Sequence, residues 1–194
     1  MKIVISIHGV QSKEKNWQDK FDKHIKDSGR TDIRHIKYKF GWIFAPLSIF
    51  PFYQRHCIKK FRKWLYKNIY SKYGKNIIIV AHSFGTFVGF HGSDEVDKMI
   101  LFGSILHCRE NFSGIVPDRI KEIHNFHSTT DEICMLNPIG HSGAWGFRHK
   151  NTKSKIWRKY PYGKNKQIFN HKSIITEHTQ YFPLYFPDIL KLIA

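Results

Sequence analysis

The sequence has few cysteines, no long apolar run and no pattern typical of a metal or nucleotide site. Its three cysteines are an odd number without any CxxC spacing. This suggests neither a disulfide framework nor a zinc site, so we expect reduced, buried thiols. The longest apolar stretch, Phe40 to Tyr53, contains Pro46 and Pro51 and is shorter than the roughly 20 residues that a membrane-spanning helix requires. The sequence therefore predicts no transmembrane segment.

Acidic residues are also scarce. The 194 residues include 15 Asp and Glu against 32 Lys and Arg, which gives a formal net charge of +17. Such a surface attracts polyanions, so nucleic acid, anionic lipid and acidic proteins are candidate partners. With 41% hydrophobic residues the chain can bury an ordinary core, and its length predicts a single domain spanning residues 1–194. The N-terminal apolar run is too short for a signal peptide, so we expect a cytoplasmic protein.

Apolar runs with β-branched residues alternate with amphipathic, helix-like segments along the chain. The predicted strands are Ile3–Ile7, Ile33–Tyr38, Asn76–Ala81, Met99–Leu106, Glu122–Ser128 and Ile168–Ile175. The predicted helices are Trp17 up to a stop at Gly29, Gln54–Tyr73, Phe84–His91 and Tyr185–Ile193. The Lys-rich stretch Lys150–Lys166 is expected to be an exposed loop. This alternation predicts an α/β fold with a largely parallel sheet flanked by helices.

The segment around Ser83 carries the clearest functional signal. An uninterrupted apolar strand leads directly into Ser83, small residues lie two positions before and after it (Ala81 and Gly85), and a helix-like run follows. This arrangement is typical of a nucleophile elbow, where a sharp turn brings backbone segments so close that only small residues fit beside the serine. Ala81 replaces the usual first glycine of the motif but is still small.

On these residues and on His8-Gly9, the chain resembles the α/β-hydrolase superfamily, in particular its small, cap-poor, lipase-like and esterase-like serine hydrolases. The resemblance covers most of the chain. It implies a single α/β-hydrolase domain with little or no cap. It also implies that His8-Gly9 shapes an oxyanion hole formed by the backbone N–H groups of Val10 and Phe84.

The family order of nucleophile, acid and histidine implies a triad with two members downstream of Ser83. Asp131, just past the Glu122–Ser128 strand, is the expected acid, with Glu132 as the alternative. The chain contains 13 histidines that could supply the base. His178 lies in a loop immediately before the last helix and fits the family position, and His171 is the alternative.

Other histidines receive structural interpretations. His141 follows Asp131 too closely to complete the last strand before the base. His82, next to the nucleophile, is expected to pack or hydrogen-bond locally. His124 and His127 are three apart, which on a strand places them on opposite faces. Without HExxH, CxxC, GxGxxG or Walker patterns, we expect no metal and no cofactor.

Further stretches concern the substrate and the surface. Pro138–Phe147, rich in glycine and aromatics, either lines the pocket near the histidine loop or forms a structural turn. Gly41–Tyr53 is aromatic and precedes a cluster of basic residues, so it either completes the core or contacts an anionic membrane peripherally.

The function expected from these residues is a cofactor-free serine hydrolase that cleaves carboxylic esters, with lipid esters and thioesters among the candidates. The alternative is a non-catalytic protein on the same scaffold whose basic surface binds an anionic membrane, nucleic acid or an acidic partner. Oligomeric state and substrate identity do not follow from residue types.

Overall fold

The structure is a computed structural model of the 194-residue chain. It describes residues 1–9, 17–39, 48–135, 141–150, 157–159, 167–173, 177–178 and 180–194. The segment Gly41–Leu47, Val10 and the part of the glycine-rich stretch at 138–140 lie outside these residues.

Six strands form one sheet in which every neighbouring pair is parallel. They are β1 (Lys2–Ile7), β2 (Ile33–Tyr38), β3 (Ile77–His82), β4 (Val96–Phe102), β5 (Ile120–His127) and β8 (Ile168–Lys172). Parallel strands require crossovers that cover the sheet with helices, so the inner strands read as continuous apolar runs. β3 is the clearest case, because all six of its residues are buried. The predicted α/β fold with a parallel sheet is confirmed.

The helices lie between and after these strands. They are α1 (Trp17–Asp27), α2 (Pro51–Leu65), α3 (Ser71–Tyr73), α4 (Phe84–Gly92), α5 (Glu132–Met135), α6 (Ser142–Trp145), α7 (Tyr181–Leu184) and α8 (Phe186–Ile193). α2 and α4 pack on one face of the sheet, over the side chains of Ile5 and Ile79. α1, α7 and α8 cover the other face, over Val4 and Val80. Successive strand residues point to opposite faces, which is why the two cores share no side chain.

The strand order is β2-β1-β3-β4-β5-β8. The chain moves outwards from β1 to β2, then returns to the other side of β1 and continues outwards from β3. In open parallel sheets, ligands bind at the carboxyl ends of the strands where the order reverses in this way. Here that point lies between the ends of β1 and β3, which lead into His8-Gly9 and Ser83.

Some predicted boundaries are wrong. The predicted strand Met99–Leu106 is β4 at Val96–Phe102, because Gly103 has a φ of 51° and turns the chain away from the sheet. The predicted helix Gln54–Tyr73 begins earlier, at Pro51, and contains a π-helical stretch at Tyr66–Tyr70.

The predicted exposed loop Lys150–Lys166 contains a short strand, β7 (Trp157–Lys159). It pairs antiparallel with β6 (Arg148–Lys150). β7 forms because β6, which precedes it in the chain, lies beside it and pairs with its backbone. The high lysine content of the stretch does not indicate this pairing. No helix in the described part of the chain is long and apolar enough to cross a bilayer.

Candidate active site

Ser83 occupies a strained turn between β3 and α4. Its backbone has φ 54° and ψ −127°, and among the described residues it is the one non-glycine residue with a positive φ. Its N–H donates to the carbonyl of Phe102 at 3.0 Å, and its own carbonyl accepts from the Thr86 N–H at 2.9 Å. Both bonds hold the turn in place, and the side chain remains partly exposed. Strain of this kind is retained where surrounding contacts enforce it, as at functional sites.

Small residues make this turn possible. A Cβ on Gly9 would lie 2.6 Å from Ser83 Cβ, and one on Gly85 would lie 2.6 Å from the Ile7 carbonyl oxygen. Ala81 is fully buried and pairs with Ile7 across the sheet. The structure therefore brings His8-Gly9, at the end of β1, directly against Ser83, as expected for the switch point between these strands.

His178 and Asp131 form a buried pair past the ends of β8 and β5. His178 Nδ1 lies 2.9 Å from both carboxylate oxygens of Asp131. The Cys134 N–H donates to Asp131 Oδ1 at 3.0 Å, and the Tyr181 hydroxyl donates to Oδ2 at 3.2 Å. Burial raises the pKa of Asp131, but the hydrogen bonds from His178 and Cys134 outweigh it and the net pKa is lowered. Asp131 is thus an ionised acceptor that fixes the imidazole.

This pair lies against the end of β4, and the last residue of β4 also binds the Ser83 backbone. Gly103 directly follows Phe102, the acceptor of the Ser83 N–H, and a Cβ on Gly103 would lie 2.6 Å from His178 Cε1. His178 Nε2 is buried and has no hydrogen-bond partner among the described residues, Ser83 Oγ included. The ring therefore turns Nδ1 to the carboxylate and leaves the Nε2 lone pair available.

His82 supports the backbone of the histidine loop. Its Nε2–H donates to the His178 carbonyl at 2.9 Å, and the two rings lie 4.7 Å apart between centroids. Burial lowers the pKa of His82 to about 3, so its ring is neutral. The expectation of packing or hydrogen bonding holds, although the partner lies 96 positions later in the chain.

Comparisons with known proteins bear on the fold. No protein-family model and no curated protein matches the chain. An uncharacterized protein from Bacillus cereus is similar, with a TM-score of 0.60 and 16% identity over 98% of this chain, which spans 58% of that protein's length. The product of the gene lin2722 of Listeria innocua has a TM-score of 0.57 and 12% identity, with 97% of this chain and 92% of its own covered.

A third solved structure comes from Xanthomonas campestris pv. campestris and is provisionally described as a hydrolase of the alpha/beta superfamily. Its TM-score is 0.49 at 12% identity, with 100% of this chain and 96% of its own covered. The strained serine between a central strand and a helix is similar in arrangement to a nucleophile elbow. The chain has an α/β fold with a six-stranded parallel sheet flanked by helices.

Within this fold, the alternative acid and base lie elsewhere. Glu132 is exposed at the start of α5, beside Asp131 but pointing to solvent. His171 Nε2 lies 3.1 Å from His124 Nδ1, and its ring stacks on Phe126. The structure thus places His178 and Asp131 together, and it places neither alternative in that pair.

Two further predicted features are only partly described. Phe84 is the first residue of α4, so its backbone N–H lies at the helix N-terminus beside Ser83. Val10, the other predicted oxyanion donor, lies outside the described residues. From the stretch 138–147, residues 141–147 are described. Gly143 packs there so closely that a Cβ would lie 2.5 Å from Cys134 Sγ. This turn therefore packs against α5, the helix that directly follows Asp131.

Three residues of the site were not singled out from the sequence. Tyr181 donates to the acid, Cys134 Sγ lies 3.9 Å from His178 Nδ1, and Gly103 allows the histidine ring to approach the backbone. A glycine inside the predicted strand Met99–Leu106 was the available signal for Gly103. Nothing in the sequence pattern distinguishes Cys134 or Tyr181 from ordinary core residues.

Asp131, Cys134 and His178 are also the described residues whose ligand atoms could surround a metal ion, all within 4.8 Å of one another. Burial and the neighbouring carboxylate raise the pKa of the Cys134 thiol well above its ordinary value. A metal on His178 Nδ1 would displace the hydrogen bonds between that nitrogen and Asp131. The arrangement therefore suits an oriented imidazole better than a metal centre.

A second serine, histidine and aspartate set provides a contrast. Ser6 Oγ lies 2.8 Å from His35 Nε2, and His35 Nδ1 lies 3.3 Å from Asp22. Ser6, however, is fully buried within β1, and its oxygens also accept from Gln18. Because no substrate can reach it, this set serves the core rather than chemistry.

Proposed function

We propose that the protein is a serine hydrolase that cleaves carboxylic esters through an acyl-enzyme. The observation that carries the proposal is the buried His178–Asp131 pair seated against the strand end that anchors the strained, partly exposed Ser83. A serine becomes nucleophilic when a neutral imidazole removes its proton and a carboxylate holds that imidazole in the correct tautomer.

In the proposed reaction, Ser83 Oγ attacks the ester carbonyl carbon while its proton moves to His178 Nε2. Asp131 accepts the Nδ1–H hydrogen bond and stabilises the imidazolium. Nε2–H then protonates the departing alkoxide as the carbon–oxygen bond breaks. Water, activated by the same Nε2, hydrolyses the acyl-serine and restores Ser83. Each proton leaves and returns through one nitrogen, so no further co-reactant is needed.

Backbone N–H groups complete the proposed mechanism. The N–H of Phe84 lies at the N-terminus of the nine-residue helix α4, where the helix dipole favours negative charge. Together with the proposed N–H of Val10 it would hold the oxyanion, and loss of one such donor raises the barrier by roughly 3–4 kcal/mol.

The test is Ser83→Ala, with Ser6→Ala as the matched control because Ser6 is also hydrogen-bonded to a histidine. We expect Ser83→Ala to lower turnover of a short p-nitrophenyl ester by more than about a thousandfold. The same variant should lose labelling by a fluorophosphonate probe. Ser6→Ala should keep both activities wherever circular dichroism shows it folded. Labelling that survives Ser83→Ala would refute the assignment, and a wild type that neither labels nor turns over would favour the non-catalytic binding protein.

A further inference from the structure

Most large exposed apolar residues in the described part of the chain follow the carboxyl ends of the parallel strands, with Met1 and Tyr66 as the exceptions. Three of them lie at the start of α2: Ile49 is 72% exposed, Phe50 45% and Phe52 66%, with the two phenyl rings 5.8 Å apart. Four more follow the carboxyl ends of β5 and β8. They are Ile133, Met135, Trp145 and Leu184. Isolated exposed apolar side chains need no explanation, but a grouping on one face indicates a binding surface.

The start of α2 lies at the same edge of the sheet as Ser83, the edge formed by the carboxyl ends of the strands. Phe61 packs against Gly92 at the end of α4, and Arg62 donates to the His91 carbonyl at 3.0 Å. α2 and α4 both run back from the carboxyl edge, since each connects one parallel strand to the next. At 1.5 Å per residue, Phe52 lies about 14 Å before Phe61, and Phe84 about 12 Å before Gly92. The two helices therefore begin at nearly the same level.

The charge along α2 and the residues that follow it is of one sign. The stretch 51–73 contains seven Lys and Arg and no Asp or Glu. Arg55, Lys59 and Lys63 follow Phe52 at three, seven and eleven positions, so they share its side of the helix, and all three are exposed. The buried side of the same helix, Cys57, Phe61 and Leu65, faces α4 and the sheet.

We propose that this face, formed by the start of α2 and the segments after β5 and β8, docks onto an anionic phospholipid bilayer. Ile49, Phe50 and Phe52 enter the interfacial region while Arg55, Lys59 and Lys63 contact lipid phosphates. Apolar insertion together with a basic cluster is the combination that holds peripheral proteins on membranes. The docking does not depend on the proposed hydrolase activity; if that activity holds, docking directs the mouth of the site at lipid esters.

The test is retention of the purified full chain on sedimented vesicles of phosphatidylcholine mixed with phosphatidylserine, compared with vesicles of phosphatidylcholine alone. We expect retention on the mixed vesicles only. Lys59→Glu with Lys63→Glu should weaken it by at least about tenfold. Ile49→Ser with Phe52→Ser should weaken it by about tenfold as well.

The matched control is Lys20→Glu with Lys23→Glu, which changes the net charge equally on exposed positions of α1, on the opposite face of the sheet. It should retain most of the binding. An equal loss in this control would reduce the effect to net charge and overturn the proposal. So would vesicle retention insensitive to Ile49→Ser with Phe52→Ser, or a dimer in solution that these two substitutions dissociate.

Two further measurements separate this proposal from others. Ser83→Ala should bind vesicles like the wild type, so binding without fluorophosphonate labelling refutes the hydrolase and leaves the docking intact. Fluorophosphonate labelling without vesicle binding refutes the docking and leaves the hydrolase proposal intact. Retention on duplex DNA that exceeds retention on the mixed vesicles, and that Lys59→Glu with Lys63→Glu abolishes, would assign the basic face to nucleic acid and overturn the membrane proposal.

Discussion

The orientation of one imidazole ring is the central feature at the residue scale. Asp131 accepts from three donors, His178 Nδ1, the Cys134 N–H and the Tyr181 hydroxyl, so its carboxylate cannot turn away from the histidine. The Nε2–H of His82 donates a hydrogen bond to the His178 carbonyl and so fixes the backbone that carries the imidazole. A neutral histidine has a donor at one nitrogen and an acceptor at the other, and the carboxylate decides which nitrogen carries the proton.

Asp131→Asn tests this role. The amide can donate to Nδ1, which favours the tautomer with the proton on Nε2, and that nitrogen then cannot accept the Ser83 proton. We expect kcat for a short ester to fall by about a thousandfold or more while the protein stays folded. Glu132→Gln, one residue later and exposed, is the control and should keep near wild-type kcat. A larger loss in Glu132→Gln than in Asp131→Asn would identify Glu132 as the acid.

At the scale of elements, the contact between the end of β1 and the start of α4 positions Ser83, the proposed nucleophile. Gly85 lies so close to β1 that a Cβ would meet two backbone carbonyl oxygens, those of Ile7 at 2.6 Å and His8 at 2.7 Å. Backbone cannot move aside as a side chain can. One turn further along α4, a Cβ on Gly89 would meet side-chain atoms instead of backbone: Ile7 Cδ1 at 3.1 Å, Ile79 Cγ2 at 3.4 Å and Ala81 Cβ at 4.0 Å.

Gly85→Ala and Gly89→Ala therefore form a matched pair within one helix. Both substitutions add one methyl group and improve helix propensity. We expect Gly85→Ala to lower the free energy of unfolding by about 1–3 kcal/mol, because α4 must shift away from β1. It should also lower ester turnover. Gly89→Ala should lie within about 1 kcal/mol of the wild type. Denaturant unfolding measures both, and equal effects would contradict the close approach described for Gly85.

The whole molecule combines a strongly positive surface with histidines buried in neutral form. Burial is the main cause that lowers the pKa of His82 to about 3. It likewise lowers the pKa values of His35, His91, His124 and His141 to about 4. These groups lie in different parts of the fold, so their effects on stability concern the molecule as a whole.

These histidines predict acid sensitivity. A histidine whose folded pKa is below its unfolded value of 6.5 binds fewer protons when folded than when unfolded between those two values. The contribution of these histidines to the free energy of unfolding is therefore fully present above about pH 6.5, and it falls as the pH drops towards about 4. Denaturant unfolding at a series of pH values should show this decline.

His35→Gln should make that decline shallower. The slope, rather than the absolute stability, is the quantity to compare, because His35→Gln also disturbs the bond to Ser6. Stability that stays constant from about pH 7 to about pH 4 would contradict the burial of these groups in neutral form.

Sequence patterns predicted most of the strands because a strand covered on both faces must be apolar throughout, as β3 is. They predicted the end of β4 wrongly, since the apolar run continues to Leu106 while the turn depends on the conformation of Gly103. The π-helical stretch Tyr66–Tyr70 was not predicted either, because a helix pattern does not reveal where its hydrogen bonding shifts by one residue.

The sequence by itself determined that the chain forms an α/β fold and that Ser83 lies in a nucleophile-elbow context, because strand burial and the tight turn depend on residues close together in the chain. Only the tertiary structure decided which of the 13 histidines lies against which carboxylate. His178 and Asp131 are 47 positions apart, and they meet because β5 and β8 pair in parallel and end at the same edge. The tertiary structure alone also placed the exposed end of α2 level with Ser83, since helix direction follows from strand order rather than from the basic residues of the helix.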